Sequence, residues 1–192
     1  MSARRGLALS LLVVAVGVGL SACGGDDDPA GEVAAGAEFD RAFIDAMVPH
    51  HESALEMARS AKAAGLTEPA LAQVADDILA TQQAEIDQMK EWRGEWFGSS
   101  DVDPEGAAAL GMSAEQMGMA HDADDLLNSG DVDSDFATMM IDHHQGAIEM
   151  AELALERAEH DELKELAEAI IDAQQREIEV LEPHAGEMMD HG

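Results

Sequence analysis

The chain has 192 residues, with 41 acidic against 10 basic side chains and a formal net charge of −31. So acidic a surface repels nucleic acid and anionic lipid headgroups, and neither is an expected partner. Cys23 is the only cysteine, which excludes a disulfide framework and a thiolate metal site in the folded part.

Arg4 and Arg5 precede an apolar run from Leu7 to Leu20, followed by Leu20-Ser21-Ala22-Cys23. The run is shorter than the ~20 residues that cross a bilayer comfortably. Residues 1–22 read as a lipoprotein signal peptide, cleaved before Cys23, whose thiol and amine then take lipid. An uncleaved signal anchor is the other reading. The mature protein is expected outside the cytoplasm, held on the outer face of a bacterial membrane by lipid alone. Without the two arginines it keeps 8 basic residues and a formal charge of −33.

Residues 23–37 are small and acidic without periodicity, a flexible tether. The domain proper is expected over 38–184. Helical spacing of apolar residues begins near Phe39 and is broken at Gly65 and Thr67-Glu68-Pro69; a second helix follows, closing a hairpin over 39–96. Residues 97–133 read as a linker. Within it, Ser113-Ala114-Glu115-Gln116 has capping-box spacing and predicts a short helix carrying Met112, Met117, Met119 and His121. A second hairpin is predicted over 134–183, ending at Pro183, and 185–192 form a tail.

The chain repeats itself. Met47–Met57, MVPHHESALEM, returns 93 residues later as Met140–Met150, MIDHHQGAIEM, and ILATQQAEIDQM at Ile78–Met89 returns as IIDAQQREIEVL at Ile170–Leu181. Overall, Phe39–Trp92 matches roughly Phe136–His184. A lone hairpin cannot cover its apolar face, so two packed together predict an all-α four-helix bundle.

At 100° per residue, Phe43, Met47, His50, His51, Ala54, Met57 and Ala58 share one stripe, with Asp45, Glu52, Glu56 and Arg59 on the other side. Phe136, Met140, His143, His144, Ala147, Met150 and Ala151 group likewise. Gln82 and Glu85 intrude on the apolar face of the second helix, and Gln174 and Glu177 on that of the fourth. Hairpin register sets His50 and His51 level with Gln82 and Glu85, and His143 and His144 level with Gln174 and Glu177.

Two chemistries fit inward His, Met and Glu. Imidazole binds copper, zinc or iron, and a thioether adds a preference for Cu(I). Met47 with His50 and His51, and Met140 with His143 and His144, are spaced to meet at one point. Met57 and Met150 stand one to two turns further along, and Glu85 and Glu177 are further ligands or partners that orient the rings. Alternatively the layers are metal-free, each Glu satisfying a buried His and fixing register, in a structural or protein-interaction module. Gln82, Gln174, Met117, Met119 and His121 are secondary metal candidates, and Met188, Met189 and His191 in the tail are weaker ones. A ferritin-type di-iron centre needs Glu three residues before His. No histidine of this chain has one. No nucleophile–base arrangement or phosphate loop appears, so no enzyme is expected; a redox enzyme at a mononuclear metal is a distant third reading. Pro49, in mid-helix, removes a hydrogen bond at a cost of ~3 kcal/mol and should kink the first helix or restart it. His160, at a turn, is expected in solvent.

The pattern F…M-x-x-HH-x-x-A-[IL]-E-M-A, then Q-x-x-E-I, both repeated, resembles the domain of unknown function 305 family over about Phe39–His184. The Met-Ser-x-Glu-Gln-Met segment of the linker resembles that family's inter-repeat segment. The resemblance implies a ferritin-like four-helix bundle, export, and copper binding or tolerance, with His50, His51, His143, His144, Met47, Met57, Met140, Met150, Gln82, Glu85, Gln174 and Glu177 on the motif. Pro49 departs from the acidic or polar residue usual before the His pair.

Overall fold

A computed structural model describes residues 35–103 and 106–186, without the side chain of residue 107. The expected signal peptide, Cys23, most of the tether, and Met188, Met189 and His191 lie outside the described residues. Among those described there is no strand, and no helix is long and apolar enough to cross a membrane.

The elements are α1 (Ala37–Ala64), α2 (Pro69–Phe97), α3 (Gly106–Ala109), a 3-10 turn at Ala123–Asn128, α4 (Val132–Arg157), α5 (Asp161–Leu181) and a 3-10 turn at Glu182–His184. α1 and α2 form one antiparallel hairpin and α4 and α5 the other. α1 packs on α2 and α4, α4 packs on α5, and α2 and α5 touch only lightly. α1 ends where Gly65 takes the left-handed conformation at φ 103°, a stop that glycine makes without a Cβ penalty. Pro69 opens α2, where its missing N–H costs nothing. α1 runs through Pro49 as one helix, so the chain does not restart there.

Both apolar stripes face inward as the periodicity predicts: Phe43, Met47, His50, His51, Met57, Phe136, Met140, His143, His144 and Met150 are buried. Fully burying each such Phe or Met stabilises the fold by roughly 1.5–3 kcal/mol.

The linker departs from expectation, because it is part of the core. Leu110, Met117 and Leu126 are buried, and α3 and the first 3-10 turn pack on α1. Every residue from Ala42 to Val48 is therefore buried, including Asp45, which the helical projection puts outside. Asp45 accepts from Arg93 Nε at 2.5 Å and Nη2 at 3.1 Å and from the Asp103 amide at 2.9 Å, while Arg93 Nη1 donates to the Ser99 carbonyl at 2.7 Å. The Asp45 carboxylate raises the pKa of Arg93 above its already high ordinary value. This pair fastens the start of the linker across α1 and α2.

The expected linker helix is cut to one turn. Its capping box forms, with Ser113 N donating to Gln116 Oε1 at 2.9 Å and Gln116 N to Ser113 Oγ at 3.2 Å. Gly118, at φ 68°, then closes the turn: its amide donates to the Glu115 carbonyl at 3.0 Å and that of Met119 to the Ala114 carbonyl at 2.9 Å. This is a Schellman stop directly after a start.

Each hairpin caps the other. Asp40 of α1 is fully buried and accepts from the amides of Glu159 (2.9 Å) and His160 (3.0 Å) at the head of α5, and from His160 Nδ1 (2.6 Å). Asp133 of α4, 93 residues later, accepts from the amides of Thr67 (2.9 Å) and Glu68 (3.2 Å) at the head of α2, and from the Thr67 hydroxyl. The Thr67 hydroxyl bond holds the Asp133 carboxyl below its ordinary pKa. His160 is thus only part-exposed, and its ring stacks on Trp96 at 3.7 Å rather than standing in solvent.

Replacing Asp45 by Ala strands a buried guanidinium, an error that costs about 3–5 kcal/mol. Urea unfolding of Asp45→Ala is expected to show a loss of that size, with faster amide exchange over residues 98–103. An unchanged midpoint would contradict the clamp.

Candidate metal centre

The four motif imidazoles form one row across the middle of the bundle. His50 and His143 face each other with ring centroids 3.7 Å apart and planes at 34°. His51 lies 6.3 Å from His50, and His144 6.3 Å from His143. Glu85 and Glu177 close the two ends: His51 Nε2 meets Glu85 Oε2 at 2.8 Å, and His144 Nε2 meets Glu177 Oε2 at 2.6 Å. All four rings are buried, while the two carboxylates keep 19% and 15% of their surface, so each links the row to solvent.

The inner rings are held differently. His50 Nε2 donates to the Met117 carbonyl of the linker at 2.8 Å, and His143 Nε2 donates to the His50 carbonyl at 3.0 Å. A carbonyl only accepts, so in both rings the proton sits on Nε2 and Nδ1 carries a lone pair. Burial, with the neighbouring imidazoles opposing charge, lowers His50 from its ordinary 6.5 to about 3 and pushes His143 well below 6.5. In all four rings Nδ1 is buried with no hydrogen-bond partner. Buried polar atoms are normally paired, so four orphaned ring nitrogens in one row require an explanation.

The predicted pairings hold in part. Glu85 meets His51 and Glu177 meets His144, as hairpin register requires. Gln82 and Gln174 are buried level with them, but their Oε1 atoms bond to no histidine and have no partner. The reason is that the inner rings turn to carbonyl oxygens instead, one of them in the linker. Met47, Met57, Met140 and Met150 are buried on the same helix faces as the histidines. Among the described residues no three His, Cys, Asp or Glu side chains are gathered as a ready metal site. Of the secondary candidates, the Met117 side chain is buried, Met119 packs part-buried on the core, and His121 Nε2 meets Asp142 Oδ2 at 3.0 Å on the surface. The Met-bearing linker is thus a lid packed on the bundle, and His121 stands apart from the row.

The model of the domain of unknown function DUF305 matches residues 40–184. The chain belongs to the DUF305 family. Solved structures agree. It is similar to CopM in the Cu(II)-bound form, with 34% identity, 75% of this chain and 93% of that chain covered and a TM-score of 0.66. CopM in the Cu(I)-bound form gives 31%, the same coverage and 0.63. A DUF305 protein from Streptomyces coelicolor, provisionally named as secreted, gives 26% identity over 74% of this chain and 89% of that chain, with a TM-score of 0.67. The comparison with curated proteins gives no match. Of the motif positions quoted above, the four histidines form the row and Glu85 and Glu177 bond to it, while Gln82 and Gln174 are buried without a bond to any histidine.

A buried imidazole that stays neutral when folded but takes a proton when unfolded makes stability depend on pH. For His50 the unfolded chain binds more protons between about 3 and 6.5, and His143 acts in the same direction, so stability falls as pH drops below 6.5, by up to about 1.4 kcal/mol per unit for each ring. Metal-free protein is expected to lose thermal stability between pH 6.5 and 5, and His50→Gln with His143→Gln should flatten that slope. An equal slope in the double variant would show that other groups set it.

Proposed function

We propose that this is a lipid-anchored, extracytoplasmic protein that binds copper, chiefly as Cu(I), in the His/Met layer, and that it stores or buffers the metal or confers tolerance rather than catalysing a reaction. The observation that carries the reading is the set of four buried Nδ1 atoms without partners, each on a ring whose Nε2 is already held. Holding the far nitrogen of a ring to a carboxylate or carbonyl is how metal-binding histidines are oriented. Glu85 and Glu177 therefore orient rings in this reading, and the buried methionines supply the soft donors that favour Cu(I) over zinc or iron. The copper-bound forms of the similar CopM support it. The two His–Glu pairs that close the ends of the row favour a second reading, in which it is a metal-free layer that fixes helix register in a structural or protein-interaction module.

Anaerobic competition against a chromogenic Cu(I) chelator separates them. The mature protein is expected to withdraw Cu(I) from the chelator. Met47→Leu with Met140→Leu, which conserves core volume, should weaken uptake with little loss of stability. No uptake by the intact protein sinks the copper reading. If changing the four histidines to Ala unfolds a protein that never held copper, the metal-free layer is correct.

The anchor is tested separately. Cys23→Ser is expected to abolish incorporation of labelled fatty acid and to move the protein from the membrane to the soluble fraction. Retention at the membrane without label would favour the uncleaved signal anchor.

A further inference from the structure

The two hairpins are not equivalent, and the differences lie where the linker lands. Pro49 of the first repeat corresponds to Asp142 of the second, and Ser53 to Gly146. Asp142 meets His121 of the linker at 3.0 Å. Gly146 lies directly beneath the linker: a Cβ there would stand 2.2 Å from both the C and O atoms of Met117. Gly118 makes the reciprocal approach, since its Cβ would stand 2.3 Å from the Asp142 carbonyl oxygen and 2.7 Å from the His143 Cα. Real Cβ atoms do not come so close to backbone, so this packing requires two glycines. The carbonyl that rests on Gly146 is the one that accepts from His50 Nε2.

We infer that the linker turn over residues 113–119 is the positioning element of the inner histidine His50, with Gly118 and Gly146 as the positioning residues that let the Met117 carbonyl lock its ring. The lock falls on one ring. The Met117 carbonyl holds the ring of His50, whereas His143 is held by the main-chain carbonyl of His50, whose place is set by α1 and not by the His50 ring. The outer rings are held by glutamates of their own hairpins and do not depend on the linker. As a deepening of the copper proposal, which its affinity arm rests on, this makes the linker the part of the chain that sets how well the Nδ1 of His50 is presented to a metal.

The test is Gly146→Ala in the mature chain, read by nitrogen NMR of 15N-histidine-labelled, metal-free protein. In the unaltered protein His50 and His143 should show a protonated Nε2 and a bare Nδ1. In the variant the His50 ring should move toward tautomer averaging while His51, His144 and His143, whose acceptors lie on the helices, keep theirs. Cu(I) affinity should fall by about 10–100-fold, the usual effect of losing a partner behind a ligand. Four unchanged rings overturn the inference, and so does an equal change in all four, which is general loosening. Should Gly146→Ala fail to fold, Ser113→Ala with Gln116→Ala loosens the same turn from its exposed side, and the same change, centred on His50, is required. A protein that takes up no copper defeats the proposed function only, because the NMR pattern still decides the role of the turn.

Discussion

Four imidazoles side by side in the dry centre of a bundle impose one demand: each ring must place its N–H on an acceptor that belongs to a different segment. Two acceptors are carboxylates on neighbouring helices and two are backbone carbonyls, one of them on the linker. Much else follows. α2 and α5 must bring Glu85 and Glu177 level with the outer rings, α1 and α4 must approach until His50 and His143 stack, and the linker must lie flat on α4. Burial itself holds His50 and His143 in the neutral form, which costs far less to bury than a charge.

The inward face, the hairpins and the outer His–Glu pairs were legible because helical periodicity and hairpin register need only the sequence. Asp40 and Asp45 were not. A projection sorts residues by angle on one helix, and it places an acid outside whenever the opposite side is the richer in apolar groups. Here a third layer covers that side, and no local pattern announces it. The linker misled for the same reason: its composition is that of a loop, with Gly, Ser, Asp and Pro, yet Leu110, Met117 and Leu126 are spaced to enter the core one at a time. Two signals stood in the sequence. Asp40 and Asp133 lie at the repeat offset, as paired function requires, and Gly146 replaces Ser53 in an otherwise similar helix. A glycine in mid-helix, costly in itself, marks a place where backbone approaches.

The His row also joins the two repeats. Pairing within each hairpin would have made two separate pockets. The contact of His50 with His143 merges them, and the linker then removes the equivalence of the halves by supplying its carbonyl to only one. Gln82 and Gln174, which register sets beside the rings, are left with unpaired oxygens because the inner histidines have turned away. The family signature thus names the parts of the centre without revealing which part holds which.

The exchange of caps between hairpins bears on how the chain folds. Neither α2 nor α5 has a side-chain cap from its own neighbouring residues. The head of α5 is satisfied by an acid 120 positions earlier and the head of α2 by one 66 positions later. Each hairpin in isolation would leave the start of its second helix frayed, and the last hydrogen bonds to close are among those that span the most chain. The bundle accordingly gains its helix ends only when both halves have docked, so it should form and melt as a single cooperative unit rather than as two hairpins in turn.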